Sequence, residues 1–287
     1  MLQNLFTDGL VIGSVYALVS VGMTVILGVL GQINFAHGEY YMAGAFAAWW
    51  AIDRLGLSYM ASIPLTILIV GILSLAIGYA VMQRLVDVSF DAGIIATLGV
   101  SLLLQNTATL IFGGTYQIFD GGWLEPMRVF GEDIAQQRVL IFLVTLVVFG
   151  ALEWLVRKST FGKQMRAVSQ NVECCHVLGV DVRRVVLITF ILGTTLAALS
   201  GVMTAPITIN IYGAMGEAIT LKSFAVIVMG GMGSIGGTLV AGWVLGIMES
   251  LVAAYVGLQF RDAVAFALLV MVLMWRPSGF FSTKARY

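Results

Sequence analysis

The sequence predicts an all-α integral membrane protein with about eight transmembrane helices and re-entrant or broken glycine-rich segments. Its 287 residues are 60% hydrophobic and only 10% charged, whereas a soluble domain is typically about 25% charged. Several apolar runs approach or exceed the length of about 20 residues that a membrane-spanning helix needs. The 33 glycines fit this class, because small residues let membrane helices approach one another closely.

The apolar runs give the expected elements in chain order. We expect the second run, which is short, to extend back towards His37, and we treat the seventh separately because it is too long for one span. The runs are Gly9–Leu30, Tyr41–Ile52, Met60–Met82, Ala92–Phe112, Val139–Val156, Val185–Pro206, Ser223–Val256 and Asp262–Trp275.

Glycines interrupt the seventh run. Each glycine in a helix interior costs about 1 kcal/mol relative to alanine, so this stretch is a poor helix. We predict a hairpin, with an inbound segment at Ala218–Met229 and an outbound helix at Thr238–Val256. A single tilted helix with a kink is the alternative. The predicted turn, 230–237, consists of Gly230, Gly231, Gly233, Ser234, Gly236 and Gly237 together with two apolar residues.

Charge predicts the orientation of the chain. Six Lys and Arg residues lie between Arg157 and Arg184, and the C-terminal tail carries Arg276, Lys284 and Arg286. Both regions should be cytoplasmic by the positive-inside rule. The polar loop 113–138 holds four acidic residues and fits the outside. We therefore expect residues 1–287 to form one domain with a periplasmic N-terminus and a cytoplasmic C-terminus.

Several classes of protein find no support in the sequence. The formal net charge of zero gives no reason to expect a nucleic-acid partner. Cys174 and Cys175 are adjacent and the chain has only two histidines, so we expect no metal site and no catalytic site. Gly162-Lys163 lacks the other residues of a phosphate-binding loop, so any ATP site is expected on another polypeptide.

Polar residues interrupt the apolar pattern at Gly31–Tyr40. Asn34, His37 and Glu39 fall there within six residues, and polar groups at membrane depth are functional candidates by default. We predict that they line a substrate pathway or gate, although a structural hydrogen-bond node that holds a broken helix is an equally good interpretation. Gln105 and Asn106 form a second polar group, which suits either a zwitterionic substrate or helix–helix contacts.

Other polar residues are given more ordinary roles. We expect Glu249 to lie at the membrane interface. Glu217 and Lys222 are expected near the outer face, as a vestibule or a solvated loop. Asn34–Ala45 and Gly230–Gly246 share an order of polar, glycine-broken and then small apolar residues, which is a weak sign of an internal repeat.

The basic loop 157–184 is expected to contain a short helix from Met165 to Leu178, which Gly179 would end. Such a helix on the cytoplasmic side suits contact with a soluble partner. An ordinary positive-inside loop also explains the charges.

Several motifs in order resemble one family, the smaller of the two inner-membrane permeases of high-affinity branched-chain amino acid ABC importers. The resemblance covers essentially the whole chain and centres on Asn34-Phe35-Ala36-His37-Gly38-Glu39. The other motifs are Gly13–Leu18, Gly99–Asn106, Gly162 with Met165–Ala167 and Leu178–Val180, Lys222–Ile235, and Arg276–Gly279.

This resemblance implies a transport subunit that is not itself an enzyme. It would move branched-chain or other neutral amino acids across the bacterial inner membrane. Its implied partners are a second homologous permease, two cytoplasmic ATPases that hold ATP and Mg, and a periplasmic binding protein, within the lipid bilayer. This chain would hold no cofactor itself. The implied contacts with the ATPases are Gly162, Met165, Arg166, Ala167, Leu178 and Gly179.

Alternatives remain at this stage. Related permeases carry urea, amides or aromatic acids, and an ion-coupled carrier or channel is a further possibility. Phe35 mildly favours amino acids, since urea permeases of this superfamily tend to have Met there. The chain departs from the family where it has Gly236 in place of Pro, and at Cys174–His176 in place of small alanines.

Overall fold

The computed structural model describes residues 2–129, 132–276 and 278–281, and it is a helical bundle. Pro277, Lys284 and Arg286, which the sequence analysis used, lie outside the described residues. The helices are α1 (Leu2–Leu30), α2 (His37–Asp53), α3 (Tyr59–Ala80), α4 (Phe90–Phe112), α5 (Gln136–Lys158), α6 (Thr160–Gln170), α7 (Val172–Val177), α8 (Val182–Thr208), α9 (Met215–Gly230), α10 (Ile235–Tyr255) and α11 (Arg261–Trp275), with 3-10 helices at Met82–Asp87 and Leu258–Phe260.

Short strands pair outside the helices. Strands β1 (Gln117–Ile118) and β4 (Asn210–Ile211) are antiparallel, and they join the segments that follow α4 and α8. Strands β2 (Pro126–Val129) and β3 (Glu132–Ala135) form a hairpin before α5. Because α5 runs from this hairpin to α6, the two features mark opposite ends of the bundle. We call them the hairpin end and the basic end.

Seven helical segments of the described chain are long and apolar enough to cross a membrane: α1, α3, α4, α5, α8, α10, and α11 with the 3-10 helix before it. Two further helices, α2 and α9, are shorter, with 17 and 16 residues. The predicted fold class is therefore confirmed, including the short glycine-broken segments. The extension of the second run back to His37 is confirmed as well.

The long glycine-broken run folds as a hairpin. Helix α9 ends at Gly230 and α10 begins at Ile235. Gly231 and Gly233 have φ values of +93° and +83°, a left-handed conformation that glycine adopts without steric cost. Ser234 then caps α10 by accepting a hydrogen bond from the Gly237 amide at 3.1 Å. The prediction of a hairpin is confirmed, and the single kinked helix is wrong.

The basic loop differs from its prediction in one respect. A single helix from Met165 to Leu178 is wrong, because α6 and α7 are separate helices. Asn171 divides them with an extended φ of −160°, and its side chain accepts a hydrogen bond from the Cys174 amide at 2.9 Å. Asparagine is a strong N-cap, so it starts a new helix rather than continuing the first. Gly179, with φ +76°, follows the end of α7 as expected.

Helices α1–α4 and α8–α11 form two halves with matching helix contacts, since α1 packs against α10 as α8 packs against α3, and α2 packs against α9. An offset in residue number that turns Gly38 into Gly216 relates the two halves. In the contact of α1 with α8, Gly22 packs against Gly193, and the Ser200 hydroxyl donates to the Val15 carbonyl at 3.2 Å. The paired helices run in opposite directions, as in the inverted repeats of many transporters.

The sequence around the two short helices repeats as well. Ala36-His37-Gly38-Glu39 opens α2, and Ala214-Met215-Gly216-Glu217 opens α9 at the same offset. The backbone bonds also match, since the Glu39 amide donates to Ala36 and the Glu217 amide donates to Ala214. An internal repeat was expected, but its expected pairing of Asn34–Ala45 with Gly230–Gly246 is wrong. Those two segments are not equivalent positions in the two halves.

Glycine contacts hold the helices at close range. In the α1–α10 contact, Gly246 packs against the backbone of Gly9 and Gly13, and a β-carbon at position 246 would overlap both. Membrane helices gain little from burying apolar surface against each other, so close van der Waals packing of this kind is a main source of their association.

We predict that Gly246→Ala destabilises the protein, because the added methyl group forces α1 and α10 apart. Overpacking typically costs about 1–3 kcal/mol. Gly99→Ala is the matched control, since Gly99 is also helical and a β-carbon there meets nothing within 4 Å. The measurement is the apparent melting temperature of each purified variant in detergent. Equal melting temperatures for the two variants would contradict the packing account.

Candidate functional site

The N-termini of α2 and α9 meet inside the bundle. Gly38 and Gly216 lie against each other, and a β-carbon on either residue would overlap the carbonyl oxygen of the other. The Gly38 amide also donates to the Thr220 hydroxyl at 2.9 Å. The contact lies at mid-depth, because the neighbouring Glu39 reaches Ser101, which is midway along α4. We call this contact the glycine junction.

The turn before α2 is held by Asn34 and His37. The Asn34 side chain accepts a hydrogen bond from the Ala36 amide at 3.1 Å, and its backbone oxygen accepts from the His37 amide at 3.2 Å. The His37 Nε2 atom lies 3.0 Å from the Val19 carbonyl of α1. Both side chains are buried. These contacts fix where α2 begins, which favours the structural-node interpretation for this pair.

Glu39 faces a different neighbour. Its Oε1 accepts a hydrogen bond from the Ser101 hydroxyl of α4 at 3.0 Å. Its Oε2 is buried and has no hydrogen-bond partner among the described residues. The whole residue is 1% exposed. His37 and Glu39 therefore do not pair with each other. Glu39 and Gln32 are each left with a buried oxygen that has no hydrogen-bond partner among the described residues, and Glu39 is the one of the two that is ionisable.

A stripe of polar side chains on α4 continues from Ser101. Gln105 and Thr109 follow at intervals of one helical turn, so the three share one face. Gly213, two residues before α9, lies so close to α4 that a β-carbon there would be 2.6 Å from the Thr109 hydroxyl oxygen. We call Ser101, Gln105 and Thr109 the polar stripe. It runs past the glycine junction.

The remaining predicted site residue of α4 lies apart. Asn106 is exposed, and its amide donates to the Leu102 carbonyl of its own helix at 2.7 Å. The structure thus brings Glu39 next to the stripe that contains Gln105, while His37 and Asn34 bond elsewhere.

The sequence placed Glu217 near the outer face, in a docking surface, a vestibule or a solvated loop, and in the structure it occupies the first turn of α9. It adjoins Gly216 of the glycine junction, and Gly216 lies so close to Glu39 that a β-carbon on it would be 2.8 Å from Glu39 Oε2. Its side chain is exposed on the surface of the isolated chain. The matched Ala-x-Gly-Glu motifs were the signal in the sequence that could have linked the two glutamates.

A second group of charges lies between α1, α9, α10 and α11. The Lys222 ammonium is 3.0 Å from Glu249 Oε1 and 2.9 Å from Asp262 Oδ1. The Tyr16 hydroxyl donates to Glu249 Oε2 at 2.7 Å, and Arg261 lies 3.6 Å from the same oxygen. The Glu249 side chain is fully buried among these helices, so it does not extend outward from the bundle, and its expected position at the membrane interface stays a prediction.

The predicted coupling residues cluster at the basic end. A β-carbon on Gly162 would overlap the carbonyl oxygens of Leu155 and Val156, so α6 turns back tightly against the end of α5. Met165 is buried, Ala167 is half-buried, and Arg166 donates to the Val156 carbonyl. Leu178 is 78% exposed and Gly179 is exposed. The coupling residues thus divide into a packed base and a projecting tip.

The base of α6 borders the glycine-rich turn. A cavity of about 570 Å³ is lined by residues of both, among them Met165, Arg166 and Gly233. Its wall also includes Gly28 and Gly31 of the segment that leads to α2. Of the other turn residues, Gly230 and Gly237 pack against each other, whereas a β-carbon on Gly236 would meet nothing within 4 Å.

Comparisons with known proteins agree with one another. Residues 5–273 match the family model described as the permease component of the branched-chain amino acid transport system. The chain is 34% identical to the high-affinity branched-chain amino acid transport permease BraD of Pseudomonas aeruginosa, over 97% of this chain and 94% of that protein. Identity to the LivH permease of Escherichia coli is also 34%, with the same coverage. LivM of Escherichia coli is 23% identical over 92% of this chain and 67% of its own length.

A solved structure shares the fold. It belongs to a metal-chelate type ABC transporter in an inward-facing conformation, and it superposes with a TM-score of 0.51 over 94% of this chain and 86% of that chain. Sequence identity is 18%, so the likeness concerns the fold alone.

We predict that Lys222→Met lowers the apparent melting temperature strongly, because it removes the closest cation from the buried Glu249 carboxylate. Breaking a buried ion pair from one side costs about 3–5 kcal/mol. The double variant Lys222→Met/Glu249→Gln should recover much of the loss. Arg128→Met is the control, because its ion pair with Asp133 is exposed. A double variant no more stable than Lys222→Met would contradict the pairing argument.

Proposed function

Because this chain belongs to the family of branched-chain amino acid transport permeases, we propose that it moves branched-chain or other neutral amino acids across the bacterial inner membrane as the permease of an ATP-driven importer. The observation that carries this proposal beyond the family is the exposed Glu217, which adjoins the glycine junction at mid-depth. A charged side chain at that depth does not face lipid, and it marks a substrate or ion pathway.

The pathway runs along the face formed by α4 and the start of α9. Its wall in this chain consists of Glu217, Ser101, Gln105 and Thr109, with Asn106 at its edge and Glu39 buried behind Ser101. A second homologous permease covers the face and completes the pathway. The similarity to both LivH and LivM of Escherichia coli supports a pair of related subunits.

Asn34 and His37 act indirectly in this proposal. They anchor the first turn of α2 to its own loop and to α1, and so they hold the glycine junction at mid-depth. A change in their contacts would move the start of α2, and Glu39 with it. They are therefore gate residues, whereas Glu39 contacts the wall of the path through Ser101.

The basic end contacts two ATPases, which hold ATP and Mg, and the hairpin end receives a periplasmic binding protein. This arrangement makes the basic end cytoplasmic, in agreement with the positive-inside rule. Val177 and Leu178 are 89% and 78% exposed at the tip of α7, and they are the apolar contacts offered to an ATPase. The α6 base then transmits movement, since Met165 and Val168 pack in one cluster with Val25 and Val29 of α1.

The decisive experiment reconstitutes this chain with its second permease, its ATPases and its binding protein in liposomes. We expect leucine uptake that requires ATP and disappears when the phosphate-binding lysine of the ATPase is mutated. Competition by unlabelled leucine, urea and benzoate then identifies the substrate class. Uptake by this chain alone without ATP would instead identify an ion-coupled carrier or channel.

We predict that Leu178→Asp weakens ATPase binding by at least tenfold, because it places a charge in an apolar contact. The measurement is the amount of ATPase that copurifies with the tagged permease. Ile118→Asp is the control, since Ile118 is a similarly exposed apolar residue in β1, away from the basic end. Undiminished copurification of the ATPase with Leu178→Asp would show that the tip of α7 is not the docking site.

A further inference from the structure

We infer that Glu39 and Glu217 together form a recognition site for the primary ammonium group of the transported substrate. The inference rests on the proposed function, because it adds a ligand chemistry to the pathway described there. Glu39 and Glu217 are far apart in the sequence but occupy equivalent positions in the two halves of the repeat. We assign both the same role, which is to accept hydrogen bonds from the ammonium group.

The first step concerns Glu39. An ionised carboxylate accepts hydrogen bonds through both oxygens and donates none. Glu39 Oε1 is satisfied by Ser101, whereas the buried Oε2 has no partner among the described residues. A buried polar atom without a hydrogen-bond partner destabilises the folded state. A ligand that donates a hydrogen bond to Glu39 Oε2 would therefore be stabilised there.

In the part of the chain that the structure describes, the two carboxylates have no cation beside them. Among the described residues, no Lys, Arg or His side chain lies within 4.0 Å of either Glu39 or Glu217. The cation nearest along α9, Lys222, is already held by Glu249 and Asp262. Two carboxylates close together repel each other, and a cation bound between them relieves that repulsion.

The third step concerns geometry. The two glutamates directly follow the two glycines of the glycine junction, so the repeat brings both carboxylates to the place where the half-helices meet. In transporters built from inverted repeats, substrate sites lie near the middle of the membrane at the interface of the repeats. Glu217 is exposed there, whereas Glu39 is buried and its Oε2 faces Gly216. A ligand therefore meets Glu217 at the surface and reaches Glu39 when the glycine junction opens.

The fourth step selects an ammonium group rather than a metal ion. Calcium takes six to eight oxygen ligands and magnesium demands six, and the described residues contain no group of three or more acidic, His or Cys ligands. An ammonium group has three donors. Glu39 Oε2 and the two oxygens of the Glu217 carboxylate offer three matching acceptors.

Apolar surface flanks the same place. Leu221 lies one turn after Glu217 on α9, and Leu98 and Leu102 lie on either side of Ser101 on α4. All three are exposed, between 40% and 59%. The surroundings therefore suit a ligand that combines a primary ammonium group with an aliphatic side chain.

The test is calorimetric titration of the purified permease–ATPase complex with three probes. L-leucine carries an ammonium and a carboxylate, isoamylamine carries only the ammonium, and 4-methylpentanoate carries only the carboxylate. We expect leucine and isoamylamine to bind and 4-methylpentanoate to bind at least tenfold more weakly. Glu39→Gln and Glu217→Gln should each weaken isoamylamine binding at least tenfold, and Glu217→Asp should restore part of it. Glu125→Gln, in the loop before α5, is the control.

Several outcomes would overturn the inference. Unchanged isoamylamine affinity in both Gln variants would show that the carboxylates do not bind the ammonium group. Loss of the second permease from Glu217→Gln preparations, seen as a smaller complex, would show that Glu217 pairs with a cation of that subunit instead. If isoamylamine binds as expected but reconstituted wild-type protein imports no leucine, the recognition site stands and the proposed amino-acid transport fails.

Discussion

The contact between Gly38 and Gly216 is the constraint on which the rest of the arrangement depends. The backbones of two broken helices touch there, and neither position has room for a β-carbon. This contact fixes the mid-depth start of both α2 and α9, and it sets Glu39 and Glu217 beside each other. Irregular backbone at membrane depth persists only where protein or a hydrated cavity surrounds it, and each half-helix provides that protection for the other.

The two halves of the repeat follow similar backbone paths but differ in their buried charged contacts. Lys222, Glu249 and Tyr16 tie α9 and α10 to α1 through buried charged contacts. The equivalent positions of Lys222 and Glu249 in the first half are Gly44 and Gly71, which offer no such bond. Helix α4 is joined to α2 through Ser101 and Glu39. Buried charged contacts thus hold the second half together, and the first half lacks their equivalent at these two positions.

Sequence patterns predicted much of the fold because a membrane helix can be recognised as a long apolar run. The glycine cost predicted the α9–α10 hairpin, and Gly179 marked the end of the coupling segment. Other features were not predicted from the sequence. Asn171 was not recognised as a cap that divides α6 from α7, and the offset of the repeat was misassigned. Glu249 and Glu217 were placed in ordinary surroundings, because the depth of a side chain depends on which helices pack around it.

The sequence by itself determined the membrane class, most boundaries of the long helices, the family resemblance and the polar character of Asn34, His37 and Glu39. These properties are local, since they follow from composition, hydrophobic length and short motifs. Only the tertiary structure decided that His37 bonds to α1 while Glu39 turns to α4, and that Glu217 joins Glu39 across the repeat. Such pairings join residues far apart in the chain, and close helix packing at the glycines selects among them.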